Sequence, residues 1–146
     1  MILLAVLPLG AATVSCLIIE TGLPPGGSNQ HSGLWESGLL DVFFESGHIV
    51  SNAPMMRLDL KPTEIFPEEA RQELDEAVEG GVEYLILAIL EYQNGLKPLN
   101  VSLRLFKTRP LAMIYETSYA DTKSKNLKEE FDNLKQAARG LVPRLN

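Results

Sequence analysis

The sequence predicts an α/β (α+β) fold in which helices pack on a single mixed β-sheet of about five strands. Residues 82–92 form an apolar run that is typical of a central strand covered on both faces. Residues 101–105 and 113–119 alternate apolar and polar side chains, as half-exposed antiparallel strands do. Amphipathic stretches that predict helices separate or follow these strands, and the expected order is β-α-β-α-β-β-β-α.

The first half of the chain predicts a β-α-β unit. Residues 13–20 (TVSCLIIE) are apolar and β-branched, which indicates a buried strand, and the proline- and glycine-rich residues 21–32 indicate a loop. Ser32 is expected to cap a helix that ends at Gly47, and residues 48–52 form a short strand. We expect a right-handed parallel crossover here.

The second half predicts a helix, three strands and a final helix. Pro67 suits the first position of a helix, and Gly80 with Gly81 ends it. The three strands that follow are joined by short polar turns, so an antiparallel meander is expected. Asn126 and Glu129 form a capping box at the start of the last helix.

Composition limits the function classes. The chain has 146 residues, which is most simply one domain. A net charge of −6 argues against nucleic acid as a partner, because phosphate binding requires clustered Lys and Arg. Cys16 is the lone cysteine, so no internal disulfide forms, and its apolar strand predicts a buried, inert thiol.

The amino terminus resembles part of an export signal. Residues 1–9 are apolar and precede Gly-Ala-Ala, as in the core and cleavage site of a signal peptide, although the usual basic residues are missing. We expect residues 1–12 to be a signal-peptide remnant and residues 13–146 to be a single globular domain. Two alternatives stay open: a buried strand at residues 2–9, and lipidation at Cys16.

No motif in the sequence predicts catalysis, a metal site or a cofactor. His48 follows Glu45 and Asp41, but Gly47 ends the helix between them, so a metal-binding geometry is not expected. His48 is expected to be a partly exposed strand residue. His31 and Ser28 share one loop without the context of a nucleophile elbow. The acidic pairs at positions 68–69 and 129–130 are explained by helix capping and the helix dipole.

Three short segments resemble a group of periplasmic domains. They are Gly-His-Ile-Val at residues 47–50, Gly-Val-Glu-Tyr-Leu-Ile at residues 81–86 and Val-Ser-Leu-Arg-Leu-Phe at residues 101–106. The chain resembles the domain shared by the TolB amino-terminal region, CsgG-type curli-secretion lipoproteins and LpoB-type activators of penicillin-binding proteins. The resemblance covers residues 13–142.

That resemblance implies a non-catalytic, periplasmic or exported domain that binds another envelope protein. The expected contact surfaces are the loop at residues 22–32 and an exposed sheet edge, and membrane association is expected only if the chain is lipidated or oligomeric. Trp35 is either a buried residue or an anchor for the partner. The alternatives are a subunit of a CsgG-like secretion or membrane-associated oligomer, and a hydrolytic enzyme that uses His31 or His48. The candidate partner-binding residues are Pro24, Pro25, Asn29, His31 and Trp35.

Overall fold

The computed structural model describes residues 11–24, 29–60, 64–93 and 97–145. These residues form six strands, three α-helices and two short 3-10 helices. The strands are β1 (Thr13–Thr21), β2 (Ile49–Asn52), β3 (Met56–Arg57), β4 (Tyr84–Glu91), β5 (Asn100–Thr108) and β6 (Leu111–Tyr119). The α-helices are α1 (Gln30–Glu45), α2 (Arg71–Glu79) and α3 (Leu127–Arg139), and the 3-10 helices are Glu68–Ala70 and Val142–Arg144.

The strands form one mixed sheet in the order β2-β1-β4-β5-β6. Strand β1 pairs in parallel with β2 and β4, whereas β4, β5 and β6 are antiparallel neighbours. This arrangement confirms the fold class, the parallel pairing of the first two strands and the predicted meander. Strand β3 was not predicted; it has two residues and pairs in parallel with the end of β1.

A hydrophobic core lies on each face of the sheet. One core joins β1, β4 and β5 to α1 and α3, and Trp35 and Phe43 are among its largest buried side chains. The other lies beneath α2, where Phe66 packs edge-on against Phe106 with ring centroids 5.4 Å apart. Strand β4 is buried from Tyr84 to Leu90, as expected of a central strand covered on both faces.

Helices α1 and α3 pack closely because a glycine faces a leucine between them. A Cβ atom placed on Gly38 would lie 2.2 Å from Cδ1 of Leu134, so only glycine allows this approach without a shift of the leucine. At the predicted capping box, the backbone N–H of Glu129 donates to Oδ1 of Asn126 at 2.9 Å. Helix α3 therefore begins where the sequence placed it.

Several local predictions were wrong. Ser32 is not the cap of α1; Asn29 is, and its side chain accepts a hydrogen bond from the backbone N–H of His31 at 2.9 Å. His48 is buried rather than partly exposed, because it fills the end of the α1 core beside Phe43. Pro67 precedes a 3-10 helix, and α2 begins only at Arg71.

Residues 1–10 and Pro25 lie outside the described residues, so the expected signal-peptide remnant is described only at its last two positions. Ala12 is buried, its N–H donates to Nδ1 of His48 at 3.0 Å, and its carbonyl accepts from the N–H of Ile49 at 2.9 Å. Ala12 therefore packs as part of the domain. Among the helices of the described residues, none has the length and apolar character to cross a membrane.

Candidate functional site

The candidate site lies at the carboxyl ends of β1 and β4. These strands are parallel neighbours, but the chain leaves β1 toward β2 and leaves β4 toward β5, on the opposite side. In open α/β sheets, connections that diverge at the carboxyl ends of neighbouring strands leave a crevice in which ligands commonly bind. The loop after β1, residues 22–29, starts at this point.

Gly22 brings the end of β1 against the end of β4. Its φ of +83° lies in the region that favours glycine, and a Cβ atom there would lie 2.0 Å from the carbonyl oxygen of Tyr92. The N–H of Tyr92 donates to the carbonyl of Thr21 at 2.9 Å. Both features fix the path by which the loop leaves the sheet.

Arg57 anchors the first part of the loop. The register of β3 places Arg57 beside Glu20 on β1, and its Nη2 lies 3.1 Å from Oε1 of this carboxylate. Nη1 of the same guanidinium donates to the carbonyl oxygen of Pro24. Glu20 is buried, so the ion pair supplies the partner that a buried carboxylate requires.

Ser32 and Tyr92 extend this polar network to the second end of the loop. The Ser32 hydroxyl donates to Oε2 of Glu20 at 2.5 Å and lies 2.6 Å from the Tyr92 hydroxyl. Because each hydroxyl carries one proton, Tyr92 donates to Ser32 and shares that proton with Oδ1 of Asn29, which is 3.1 Å away. The loop is thus tied down at Pro24 and at Asn29.

Burial controls the chemistry of Tyr92. It raises the pKa of the phenol to about 12, with the hydrogen bond to Ser32 opposing the rise and the charge of Glu20 adding to it. A tyrosine is neutral at physiological pH even at its ordinary pKa, and burial extends this neutral range to higher pH. Tyr92 acts here as a fixed hydrogen-bond donor.

His31 forms a separate contact below the loop. Its Nδ1 lies 2.8 Å from each carboxylate oxygen of Glu130 in α3, and Glu130 is buried. A carboxylate only accepts, so Nδ1 carries the proton in this contact. The helix dipole was expected to explain Glu130. It does not explain this residue by itself, because the Glu130 side chain is buried against a specific partner, His31.

The candidate residues from the sequence divide into three groups. Pro24, Asn29 and His31 lie together at the rim, where Pro24 is exposed and the other two are half-buried. Trp35 is only 2% exposed and packs edge-on against Tyr119, with ring centroids 5.7 Å apart, so it belongs to the core. Pro25 lies outside the described residues.

The geometry does not favour the hydrolytic alternative. Ser28, the serine considered as a partner of His31, lies outside the described residues. Ser32 is fully buried, and its hydrogen bonds run to Glu20 and Tyr92 rather than to His31. His48 is buried and accepts the N–H of Ala12 at Nδ1. In the ranges that the structure describes, no three His, Cys, Asp or Glu side chains are grouped to hold a metal ion. Burial, followed by the charge of Glu36, raises the pKa of Cys16 to about 12, which makes its thiol a poor nucleophile.

The sequence did not reveal four of these residues: Glu20, Arg57 and Tyr92 of the polar network, and Glu130, which contacts His31. A charged residue at the end of an apolar strand was the available signal for Glu20. Nothing in the sequence pairs Glu20 with Arg57 or His31 with Glu130, because these contacts span 37 and 99 residues.

Comparison with known families gives one match. A family model described as "Uncharacterised protein" matches residues 26–107. The chain belongs to this family. The matched region begins within the loop and extends through β5, so it includes α1, Arg57 and Tyr92 of the polar network. No curated protein matches the chain.

Solved structures share the fold. The hypothetical protein CT253 from Chlamydia trachomatis is 17% identical with a TM-score of 0.52, over 91% of this chain and 99% of that one. A PelC dodecamer from Paraburkholderia phytofirmans is 12% identical with a TM-score of 0.51, over 92% and 86%. The LpoB C-terminal domain from Escherichia coli is 11% identical with a TM-score of 0.47, over 80% and 87%. CT253 and the PelC subunit show the fold alone, and the resemblance to TolB and CsgG-type proteins stays a prediction.

Proposed function

We propose that this chain is a non-catalytic bacterial cell-envelope domain that binds another envelope protein. The contact surface is the loop surface, which we define as residues 22–32. The observation that carries the proposal is the anchoring of both loop ends, since Arg57 holds the Pro24 carbonyl and Tyr92 contacts the Asn29 side chain. Binding surfaces are commonly loops that a rigid scaffold positions.

Anchoring matters because binding has an entropic cost. A loop that is already held in place loses less conformational freedom when a partner binds, which leaves more of the contact energy as affinity. Beneath the loop, the hydroxyls of Ser32 and Tyr92 and the carboxylate of Glu20 bond one another. These groups act as a support, and the partner contacts the exposed residues above them, such as Pro24 and Gln30.

The envelope location is supported by the resemblance to TolB, CsgG-type and LpoB-type domains and by the signal-like residues 1–12. Under this proposal the domain functions in the periplasm after export. Fractionation of cells into periplasm, membranes and cytoplasm, followed by amino-terminal sequencing of the recovered protein, tests this location. A start near residue 12 or 13 supports it, and an intact Met1 contradicts cleavage.

The binding proposal is tested by affinity capture from envelope extract. The full chain and a Pro24→Asp variant serve as baits, and Gln72→Asp, which changes an exposed residue of α2, is the matched control. We expect a partner that the full chain and Gln72→Asp capture equally and that Pro24→Asp loses. Equal capture by all three baits would show that the loop surface is not the contact.

A further inference from the structure

We infer that copies of this chain associate head to tail, with the β6 edge of one copy against the β2 edge of the next. This inference does not depend on the loop surface. Among the described residues, β6 pairs only with β5, and β2 pairs only with β1, so each sheet end has a row of unpaired backbone groups. Such edges accept strands from other chains unless something blocks them.

The β6 edge is apolar at its centre. The pairing of β5 with β6 shifts by one residue between Leu105 and Phe106, which leaves Ile114 as the extra residue of a β-bulge. Met113 and Ile114 are 39% and 41% exposed beside this bulge. The bulge interrupts the edge, so the regular part that can accept a strand is residues 115–119.

The β2 edge is about as long as the regular part of the β6 edge, and it too has two exposed apolar side chains. Strand β2 has four residues, close to the five of the regular part of β6. Phe44 in the last turn of α1 and Ile49 at the start of β2 are 70% and 67% exposed, the two highest values among the large apolar side chains described. A single contact between the two edges would bury both apolar pairs.

Charge favours this pairing. Helix α1 ends shortly before β2 starts and has no basic residue in its last turn, so the negative end of its dipole lies near the start of β2. Glu45 in that turn is half-exposed, and Lys135 of α3 lies 3.2 Å from its carboxylate. One strand in from the β6 edge, the exposed Lys107 of β5 lies opposite Ala112 of β6.

A second cation adds to the positive charge of the β6 edge. The guanidinium of Arg144 lies 4.2 Å from the ring centroid of Tyr115, in the middle of β6. The one acid of the strand, Glu116, is bound by Arg104 at 2.7 Å. Two β6 edges pairing antiparallel would bring both Arg144 side chains together near the two-fold axis, and this repulsion disfavours a symmetric dimer.

The topology makes the contact heterologous. Strands β2 and β6 run in the same direction, because both are parallel to β4 through β1 or β5. Successive copies therefore join β6 to β2 as a parallel pair, and the growing row keeps one free edge at each of its two ends. Heterologous contacts of this kind produce closed rings or open filaments rather than dimers.

Sedimentation velocity on the full chain tests the inference. We expect species larger than a dimer whose share rises with protein concentration. Ile49→Lys and Ile114→Glu each place a repelling charge on one edge, and each should weaken self-association by about tenfold or more. A mixture of the two variants should associate again, because one variant keeps an intact β6 edge and the other an intact β2 edge. The introduced Lys and Glu attract each other, so the mixture can also grow beyond a one-to-one complex. Leu99→Lys changes an apolar residue outside both edges whose exposure, 58%, lies between those of Ile49 and Ile114, and it should behave as the unaltered chain does.

Other outcomes would overturn the inference, each in a recognisable way. A full chain that stays monomeric at every concentration removes it. A dimer of Ile49→Lys alone indicates β6–β6 pairing, and a dimer of Ile114→Glu alone indicates β2–β2 pairing. Equal loss of association in Leu99→Lys indicates non-specific aggregation. Circular dichroism and the thermal unfolding midpoint establish that each variant is folded.

Discussion

Nδ1 of His31 lies 2.8 Å from both carboxylate oxygens of Glu130, and this contact joins the first turn of α1 to the first turn of α3. The two helices lie side by side over one face of the sheet, and the contact lies at the end nearest the loop surface. It therefore couples the position of α3 to the start of α1, where the loop surface ends.

Replacing Glu130 by Gln should destabilise the domain. The substitution removes the charge that the His31 N–H faces and leaves a buried amide in its place, which costs about 1–3 kcal/mol of unfolding free energy. Asp132→Asn, at an exposed position of the same helix, should change the unfolding free energy by less than about 0.5 kcal/mol. Urea unfolding measures both, and equal values for the two variants would show that the His31 contact is not stabilising.

Ser32→Ala tests the polar network directly. Without the hydroxyl, the buried Glu20 carboxylate loses a hydrogen bond and Tyr92 loses its nearest acceptor, at a cost of about 1–3 kcal/mol. Ser37→Ala in the exposed part of α1 should be neutral or slightly stabilising, since alanine favours helices. Thermal and urea unfolding give the comparison. A Ser32→Ala variant as stable as Ser37→Ala would mean that the network contributes little.

Replacing each of two glycines near the site by alanine should change the stability of the domain in opposite directions. Gly22→Ala places a Cβ against the Tyr92 carbonyl in a backbone conformation that alanine disfavours, so a loss of more than about 2 kcal/mol is expected. Gly33 lies inside α1 with open space around its Cβ position, so Gly33→Ala should stabilise by about 0.5–1 kcal/mol. Unfolding midpoints that move in the same direction for both variants would contradict this local geometry.

Asp121 should make stability depend on pH in the acid range. Its burial raises the pKa, but hydrogen bonds from Ser124 and Lys123 and the contact with Lys97 outweigh burial and lower the pKa to about 2. The folded pKa lies below the ordinary 3.8, so the stabilisation is complete above that value and is lost as pH falls toward 2. Asp121→Asn should therefore have a lower free energy of unfolding than the unaltered chain at pH 5, and this difference should shrink as the pH falls to about 2. Unfolding at a series of pH values measures it, and a constant deficit would contradict the depressed pKa.

The sheet could be predicted because its signals are local. The apolar run of β4 and the alternation in β5 and β6 follow from the two-residue period of a strand. Gly47 and Gly81 were readable as helix stops, and both have positive φ. The start of α1 was misplaced because Asn29 and Ser32 are both good caps, and only the tertiary contact of Ser32 with Glu20 decides between them.

The site was only half predictable. Proline, asparagine and histidine in a loop marked its rim, because such residues in a loop are typical of exposed contact surfaces. The polar residues beneath the loop could not be predicted in the same way. Arg57, for example, lies in a two-residue strand that has no periodic pattern. Trp35 was ambiguous because a large aromatic residue on a helix face suits both a core and a binding anchor. Only the packing against Tyr119 assigns it to the core.

The central claim is that the loop surface contacts a partner in the envelope. A photo-crosslinking amino acid placed at Pro24 of the full chain in living cells tests it most directly, with the same group at Gln72 on α2 as the matched position. The account predicts a discrete adduct with an envelope protein from position 24 and none from position 72. The absence of an adduct at position 24, or the same adduct from both positions, would contradict it.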